Sequence, residues 1–173
     1  MLPIFFAIIA ILTLVVVWAI SQQRKLVVLD ENVNNAMSQI GMQMSNRFDA
    51  LTALLNLTKD YAENESEMLI ETIKSKRSMI MAKSTPNDVL RQERIISETL
   101  EEIAIITAKY PKLKTNQNFN KTMDAVETYG NMIRTSCLIY NDCVTKLNRE
   151  IRMFPVTLMA GMLGFRQREY LEV

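Results

Sequence analysis

The sequence predicts an all-α protein, in which an N-terminal transmembrane helix is followed by an antiparallel bundle of three to four long helices. Three observations support this fold class. The first 20 residues carry no charged side chain. Helix-breaking residues are rare, because the 173 residues include only 4 glycines and 4 prolines. Apolar residues in the remainder recur at spacings of three and four, which is the period of a helix that buries one face.

The predicted anchor covers residues 1–21, and residues 1–20 are expected to contact the lipid bilayer. Twenty helical residues span roughly 30 Å, which is the thickness of the hydrocarbon core. Trp18 lies near the far end, where an amphipathic ring suits the headgroup level. The alternative is a cleavable signal peptide, which has a basic start and a small-x-small cleavage site. This chain begins without Lys or Arg, and only Val17-Trp18-Ala19 resembles such a site.

The charges that flank the apolar run predict its orientation. Arg24 and Lys25 follow it, whereas nothing basic precedes it. The positive-inside rule therefore places the N-terminus outside and the following domain in the cytoplasm.

Residues 22–173 are predicted to form the helical bundle. Its first helix should continue from the anchor without a break and run to about residue 82, and a kink near residues 56–60 would raise the helix count from three to four. Its apolar positions are Val33, Met37, Ile40, Met44, Phe48, Leu51, Leu54, Thr58, Tyr61, Met68 and Ile73.

A second helix should begin at Thr85-Pro86-Asn87-Asp88, which offers a capping hydroxyl, a proline at the first position and an acid in the first turn. We expect this helix to pack across the two longer ones. Its apolar face consists of Val89, Ile96, Leu100, Ile103 and Ile106.

The last long helix should follow the Tyr110-Pro111 loop, with Thr115 or Asn116 as its N-cap. Its apolar residues alternate at spacings of four and three, which is typical of a helix packed along its length against a partner. Another copy of the chain can fill such a seam, so a homo-oligomer is compatible with the pattern. The seam comprises Phe119, Met123, Val126, Gly130, Ile133, Cys137, Tyr140, Val144, Leu147, Ile151 and Phe154, and Pro155 ends the helix.

Residues 154–165 are the most apolar part of the bundle domain, and two interpretations remain open. The stretch folds back onto the bundle, or it forms an exposed patch for a partner or for the membrane interface, where Arg166 and Arg168 would meet anionic lipid. Gly161-Met162-Leu163-Gly164 has the spacing of a phosphate-clamping loop. Because its context is apolar, we interpret it as a turn.

The residue inventory argues against an enzyme. Histidine is absent, which removes the common hydrolase triads, the zinc sites that need His, and the di-iron motifs of helical bundles. Cys137 and Cys143 lack the C-x-x-C spacing, and we expect two buried, unpaired thiols. We therefore assign no catalytic residue, no cofactor, no metal ligand and no small-molecule substrate. The net charge of +1 and the short basic groups predict no nucleic-acid partner.

Two groups of residues form a recognisable pattern. They are Arg47, Asp49, Lys59 and Tyr61 in the first helix, and Tyr140, Asn141, Val144, Asn148, Phe154, Pro155, Gly164 and Phe165 near the C-terminus. The pattern resembles that of the bacterial LemA family from about residue 26 onward. Thr52-Ala53, Asp60 and Asn64 stand where that family has a Pro-Asn pair, a Gly and a His. These departures predict a straighter first helix.

The resemblance implies a single-pass protein of the bacterial cytoplasmic membrane, or of a membrane derived from it, without established enzymatic activity. Our leading hypothesis is a scaffold that binds unknown protein partners, or copies of itself, at the cytoplasmic surface. One alternative is a membrane-organising or remodelling protein that acts through its apolar C-terminal segment, because some magnetosome-membrane proteins resemble the family. A weaker alternative is a subunit of a membrane enzyme complex that acts through Tyr140 or Asp142.

Overall fold

A computed structural model describes residues 2–172 of the chain. Met1 and Val173, the outer ends of the predicted anchor and bundle, lie outside the described residues. Within them all regular structure is helical, which confirms the predicted class. The helices are α1 (Leu2–Thr58), α2 (Glu63–Lys76), α3 (Pro86–Lys109), α4 (Gln117–Arg152) and α5 (Val156–Met162), with a 3-10 helix at Pro111–Thr115.

The helix α1 joins the apolar segment to the bundle without a break. It has 57 residues, which corresponds to about 85 Å of helix. All side chains from Pro3 to Trp18 are exposed, whereas Leu26 is completely buried. Among residues 2–172, α1 is the one helix that is long and apolar enough to cross a membrane. The predicted continuity of anchor and bundle is confirmed.

The first helix ends at Thr58, so the prediction of a straighter helix reaching residue 82 is wrong, and the alternative of a kink near residues 56–60 is confirmed as a break there. The Thr58 hydroxyl bonds the Leu55 carbonyl oxygen and the Ser66 hydroxyl, each at 2.7 Å. The Thr58 carbonyl accepts hydrogen bonds from the N–H groups of Tyr61 and Ala62, both at 3.0 Å. Such local bonds compete with continued helix and close a turn that needs neither Pro nor Gly. Four bundle helices result, with α5 as a short fifth.

The antiparallel pair of α1 and α4 forms the spine of the molecule. At one end Lys25 Nζ lies 2.8 Å from Glu150 Oε2, and farther along Arg47 Nε donates to the Val126 carbonyl oxygen at 3.2 Å. The α4 seam is buried or packed against the core from Phe119 to Ile151, as predicted. Phe154 was expected to complete it, but it lies beyond the helix end and is 81% exposed.

The helices α2 and α3 pack against the half of α1 that is remote from the apolar segment. Arg77 follows α2 and donates to Asp49 Oδ1 and Ser45 Oγ, both at 2.6 Å. The loop before α3 passes so close to Gly41 that a Cβ atom there would lie 2.0 Å from the carbonyl oxygen of Ile80. The bundle is therefore thicker at this end than near the apolar segment.

Two predicted helix starts are confirmed. Thr85 and Asp88 form a reciprocal capping box at the start of α3. Asn116, rather than Thr115, caps α4, because its Oδ1 accepts from the N–H groups of Asn118 and Phe119.

Candidate interaction site

Two asparagines of α4 hold the C-terminal tail, residues 165–172, which has no regular secondary structure. Asn148 Nδ2 donates to the Arg168 carbonyl oxygen at 2.9 Å, and its Oδ1 accepts from the Arg168 N–H at 2.8 Å. Asn141 makes the same pair of bonds with Leu171, at 2.8 and 2.9 Å. The structure thus brings these two predicted residues together at one site.

The spacing of the asparagines matches that of the peptide units they bind. Asn141 and Asn148 are two helical turns apart, which is about 10.5 Å along α4. Arg168 and Leu171 are three residues apart, which is about 10 Å in an extended chain. Because these four bonds go to the backbone, they do not depend on which side chains the tail carries.

Further contacts close the tail onto the α1–α4 pair. The Tyr140 hydroxyl donates to the Glu169 carbonyl oxygen at 3.0 Å, and burial is the main cause of the raised pKa of this phenol. The Arg168 guanidinium donates to Asp30 Oδ1 of α1 at 2.9 Å. Val144 and Leu171 are buried in the core. Tyr140, Asn141, Val144 and Asn148, which belong to the C-terminal group of pattern residues, therefore hold the tail on the bundle.

The end of α5 explains the role of Gly164. This residue has φ +78°, and its N–H donates to the Gly161 carbonyl oxygen at 3.3 Å. The Phe165 N–H donates to the Ala160 carbonyl oxygen at 2.9 Å. These two bonds form a Schellman motif, which requires a left-handed residue at this position. The predicted turn is confirmed for Gly164, whereas Gly161 lies inside α5.

The helix α5 buries one face and exposes the other. Val156 and Ala160 are buried. Leu158 and Met162 on the opposite face are 66% and 88% exposed, and the preceding Phe154 is exposed as well. The prediction that residues 154–165 fold back onto the bundle is confirmed for one face of α5. The other face is an exposed apolar surface, and its use by a partner or by the membrane interface stays a prediction. Pro155 occupies the N-cap position of α5.

Arg47, one of the pattern residues of the first helix, links α1 to α3 and α4. Its guanidinium donates to both carboxylate oxygens of Glu93 on α3 and to the Val126 carbonyl oxygen on α4. It also lies against Gly130, where an added Cβ would be 3.0 Å from Arg47 Nη2. An adjoining cavity of about 380 Å³ is further lined by Glu127, Arg134, Leu100 and Asn131. Its two arginines and two glutamates balance one another in charge.

The other three pattern residues of the first helix, Asp49, Lys59 and Tyr61, stabilise the loops around α2 and α3. Asp49 pairs with Arg77, and Lys59 Nζ lies 3.1 Å from Glu67 Oε1. The ring centroids of Tyr61 and Tyr110 are 6.3 Å apart. The sequence does not indicate Glu93 and Arg77 as partners, because they lie 46 and 28 residues from the groups they contact. Arg168 was expected at anionic lipid, but it pairs with Asp30, 138 residues away.

The two cysteines are free, as expected. Cys137 is buried, and this burial, with the nearby Glu93 carboxylate, raises the pKa of its thiol to about 11. Cys143 is only partly buried, contrary to the prediction, because it lies at the edge of the seam. Its pKa is also raised, mainly by burial. Neither thiol is poised to act as a nucleophile. Residues 2–172 contain no acid or cysteine cluster suited to a metal ion.

An unbroken helix that carries an exposed apolar segment into a helical bundle, with a clamped C-terminal tail, defines a helical protein of the membrane-associated class. A family model described as LemA family matches residues 36–173. The chain belongs to the LemA family. A comparison with curated proteins finds no match.

Proposed function

We propose that this protein is a single-pass membrane scaffold without catalytic activity. Its bundle binds partner proteins, or copies of itself, at the cytoplasmic surface of the bacterial inner membrane or of a membrane derived from it. The observation that carries the proposal is the continuity of α1, which passes from an exposed apolar segment into the core of the bundle.

The exposed segment supports membrane insertion on energetic grounds. Its large apolar side chains, from Ile4 to Ile20, are between 37% and 70% exposed, so the bundle itself does not cover them. Each fully buried large apolar side chain gains roughly 1.5–3 kcal/mol on leaving water, and a helix satisfies its own backbone groups in lipid. Arg24 and Lys25 support the proposed orientation.

A surface on the middle of α4 suits a protein partner. Leu138 is 71% exposed, and the neighbouring Ile139 is also exposed. Leu138 lies midway along α4 between Val126 and Glu150, at the same level as the stretch of α1 that precedes Gly41. The tail is bonded to the neighbouring Asn141, and Glu93 of α3 lies near Cys137, yet neither covers these two side chains. Exposed apolar residues on a long helix favour association with another chain.

The two residues that an enzymatic role would use are engaged in structural contacts. The Tyr140 hydroxyl is bonded to the tail, and Asp142 Oδ2 lies 2.6 Å from Lys146 Nζ. This supports a scaffold over a subunit that contributes a reactive group to an enzyme complex.

The proposal is tested by extracting the full chain in mild detergent and measuring the mass of the particle. We expect a mass above that of one chain, from further copies or from a stoichiometric partner. The paired substitution Leu138→Glu with Ile139→Glu should reduce it to one chain, whereas Met68→Glu, at an exposed apolar site on α2, should leave it unchanged. A strictly monomeric wild-type particle without a bound protein contradicts the proposal.

A membrane-organising or remodelling role is the second candidate, and the exposed face of α5 favours it. Such a role requires the domain to contact lipid beyond its anchor. It predicts that the reconstituted full chain clusters or deforms liposomes in electron cryomicroscopy. Liposomes that stay round and dispersed at high protein density argue for the simple scaffold.

A further inference from the structure

Ion pairs on both sides of α5 hold it close to the end of the apolar segment. Glu150, six residues before α5 begins, pairs with Lys25, and Arg168, six residues after α5 ends, pairs with Asp30. Lys25 lies about 7.5 Å beyond Ile20 along the helix axis. The headgroup layer extends roughly 5–8 Å beyond the hydrocarbon on each side of a bilayer. By the same rise Asp30 lies about 15 Å beyond Ile20. The chain therefore enters α5 at the level of the headgroups and rejoins the bundle beyond them.

The direction of α4 places the start of α5 still nearer to the apolar segment. Since α4 runs antiparallel to α1, the residues after Glu150 lie beside those that precede Lys25. Ala19 and Gln22 are partly covered, whereas the side chains from Pro3 to Trp18 are all exposed. The turn between α4 and α5 thus lies beside the last turn of the apolar segment.

The surface that α5 presents at this level is apolar. Leu158 and Met162 are four residues apart and lie on one face, and Phe154 precedes them in the turn. All three are more than half exposed, and the bundle leaves them uncovered. An amphipathic segment with such a face binds the boundary between headgroups and acyl chains.

The charges around α5 are predominantly basic. Arg24, Arg149, Arg152 and Arg166 are exposed, and no described residue forms an ion pair with them. The nearby acids Glu150 and Asp30 are engaged by Lys25 and Arg168, which leaves Glu31 and, in the tail, Glu169 against the four arginines. Basic groups next to a membrane helix attract anionic lipid headgroups.

We propose that α5 is a second membrane contact, with Phe154, Leu158 and Met162 at the level of the upper acyl chains and the surrounding arginines at anionic headgroups. This inference rests on the proposed membrane anchoring by α1. A single helix anchor leaves the bundle free to rotate about the helix axis. A second contact beside it fixes which face of the bundle points away from the membrane, and hence which surface partners can reach.

Tryptophan fluorescence of the full chain in liposomes tests the proposal, with brominated acyl chains as the quencher in the membrane and iodide as the quencher in water. Trp18, the one tryptophan of the chain, reports on the anchor. The variant with Trp18→Phe and Met162→Trp reports on α5, and Leu158→Trp replaces Met162→Trp if that variant folds poorly. The matched control is Trp18→Phe with Met68→Trp, at an exposed site on the remote α2.

We expect the reporters at positions 18 and 162 to lose most of their emission to brominated lipid and to resist iodide, and the reporter at position 68 to do the reverse. Quenching at position 18 without quenching at position 162 overturns the inference and leaves the anchor intact. Protection of position 162 from iodide without lipid quenching shows that protein covers the face, and it overturns the inference as well. Absence of quenching at position 18 overturns the proposed function and the inference together.

The lipid class is tested by adding anionic phospholipid to neutral liposomes. Quenching at position 162 should increase with the anionic fraction and decrease as salt is raised. Replacing Arg149, Arg152 and Arg166 by Gln should abolish this dependence while quenching at position 18 persists. Quenching that is independent of anionic lipid and of salt overturns the assignment of these arginines to headgroups.

Discussion

The side-chain amide of Asn148 holds the backbone of Arg168 at its N–H and at its carbonyl, at 2.8 and 2.9 Å. Asn141 repeats this arrangement with Leu171. A carboxamide offers a donor and an acceptor on one planar group, whereas an ionised carboxylate only accepts, so Asp cannot replace Asn here without losing a bond. The position of the tail therefore depends on two side chains that sequence analysis singled out without a role.

Replacing Asn148 by Asp should loosen the tail. The carboxylate keeps the bond to the Arg168 N–H but faces the Arg168 carbonyl oxygen without a donor. We expect a loss of roughly 1–3 kcal/mol in the free energy of unfolding, and faster tryptic cleavage after Arg166 and Arg168. Asn32→Asp, at an exposed α1 position, is the control. Equal cleavage rates for the two variants would mean that the clamp does not hold the tail.

Removing one partner of the pair between Arg47 and Glu93 should strongly destabilise the fold, whereas replacing both partners by apolar residues should destabilise it little. Arg47→Met leaves the largely buried Glu93 carboxylate unpaired, and we expect a loss of about 3 kcal/mol in denaturant unfolding. The double variant with Glu93→Leu should recover most of it. Arg91→Met, in a mostly exposed pair, should cost less than about 1 kcal/mol. A double variant no more stable than the single one would contradict this account.

Substitution by alanine should have different effects on stability at two of the glycines. At Gly41 the new Cβ would meet the backbone of Ile80 at 2.0 Å, so the loop before α3 must move. We expect Gly41→Ala to cost roughly 1–3 kcal/mol, as overpacked sites do. Gly161 lies in α5 with no atom within 4 Å of the added Cβ, and Gly161→Ala should be neutral or stabilise by up to about 1 kcal/mol. Thermal unfolding of both variants distinguishes the sites, and equal effects would contradict the packing at Gly41.

The buried Cys137 should make stability fall at alkaline pH. Its thiol has a folded-state pKa of about 11 against the usual 9.0. Between these values the unfolded chain has released this proton and the folded chain has not, so rising pH favours unfolding. Urea unfolding of the reduced protein at several pH values should show a steeper decline for wild type than for Cys137→Ala. Identical declines would show that this thiol ionises alike in both states.

Local signals account for what the sequence predicted well. The seam of α4 and the caps at Thr85 and Asn116 depend on neighbours within one or two turns, so spacing alone reveals them. The sequence could not decide between a helix to residue 82 and a kink near residues 56–60, because the end of α1 at Thr58 depends on a hydroxyl pair with Ser66 in the next helix and on no breaker residue. Phe154 was misplaced because it continues the apolar period past the end of the helix.

The tail site was beyond sequence analysis for a different reason. Asn141 and Asn148 lie 30 and 20 residues from the peptide units they bind, and those bonds go to backbone atoms that any residue supplies. Nothing in the tail sequence marks it as their partner. The family resemblance identified the asparagines, and the structure shows what they hold.

In the proposed function, anchor and bundle share one rigid helix that fixes the domain at the membrane. Spin labels at positions 16 and 35, both exposed on α1, test it in liposomes after Cys137 and Cys143 are replaced by Ala. Nineteen helical residues predict a narrow distance distribution near 28 Å along the axis. A broad distribution, or a clearly shorter mean, would show that the helix breaks between membrane and bundle and would contradict the claim.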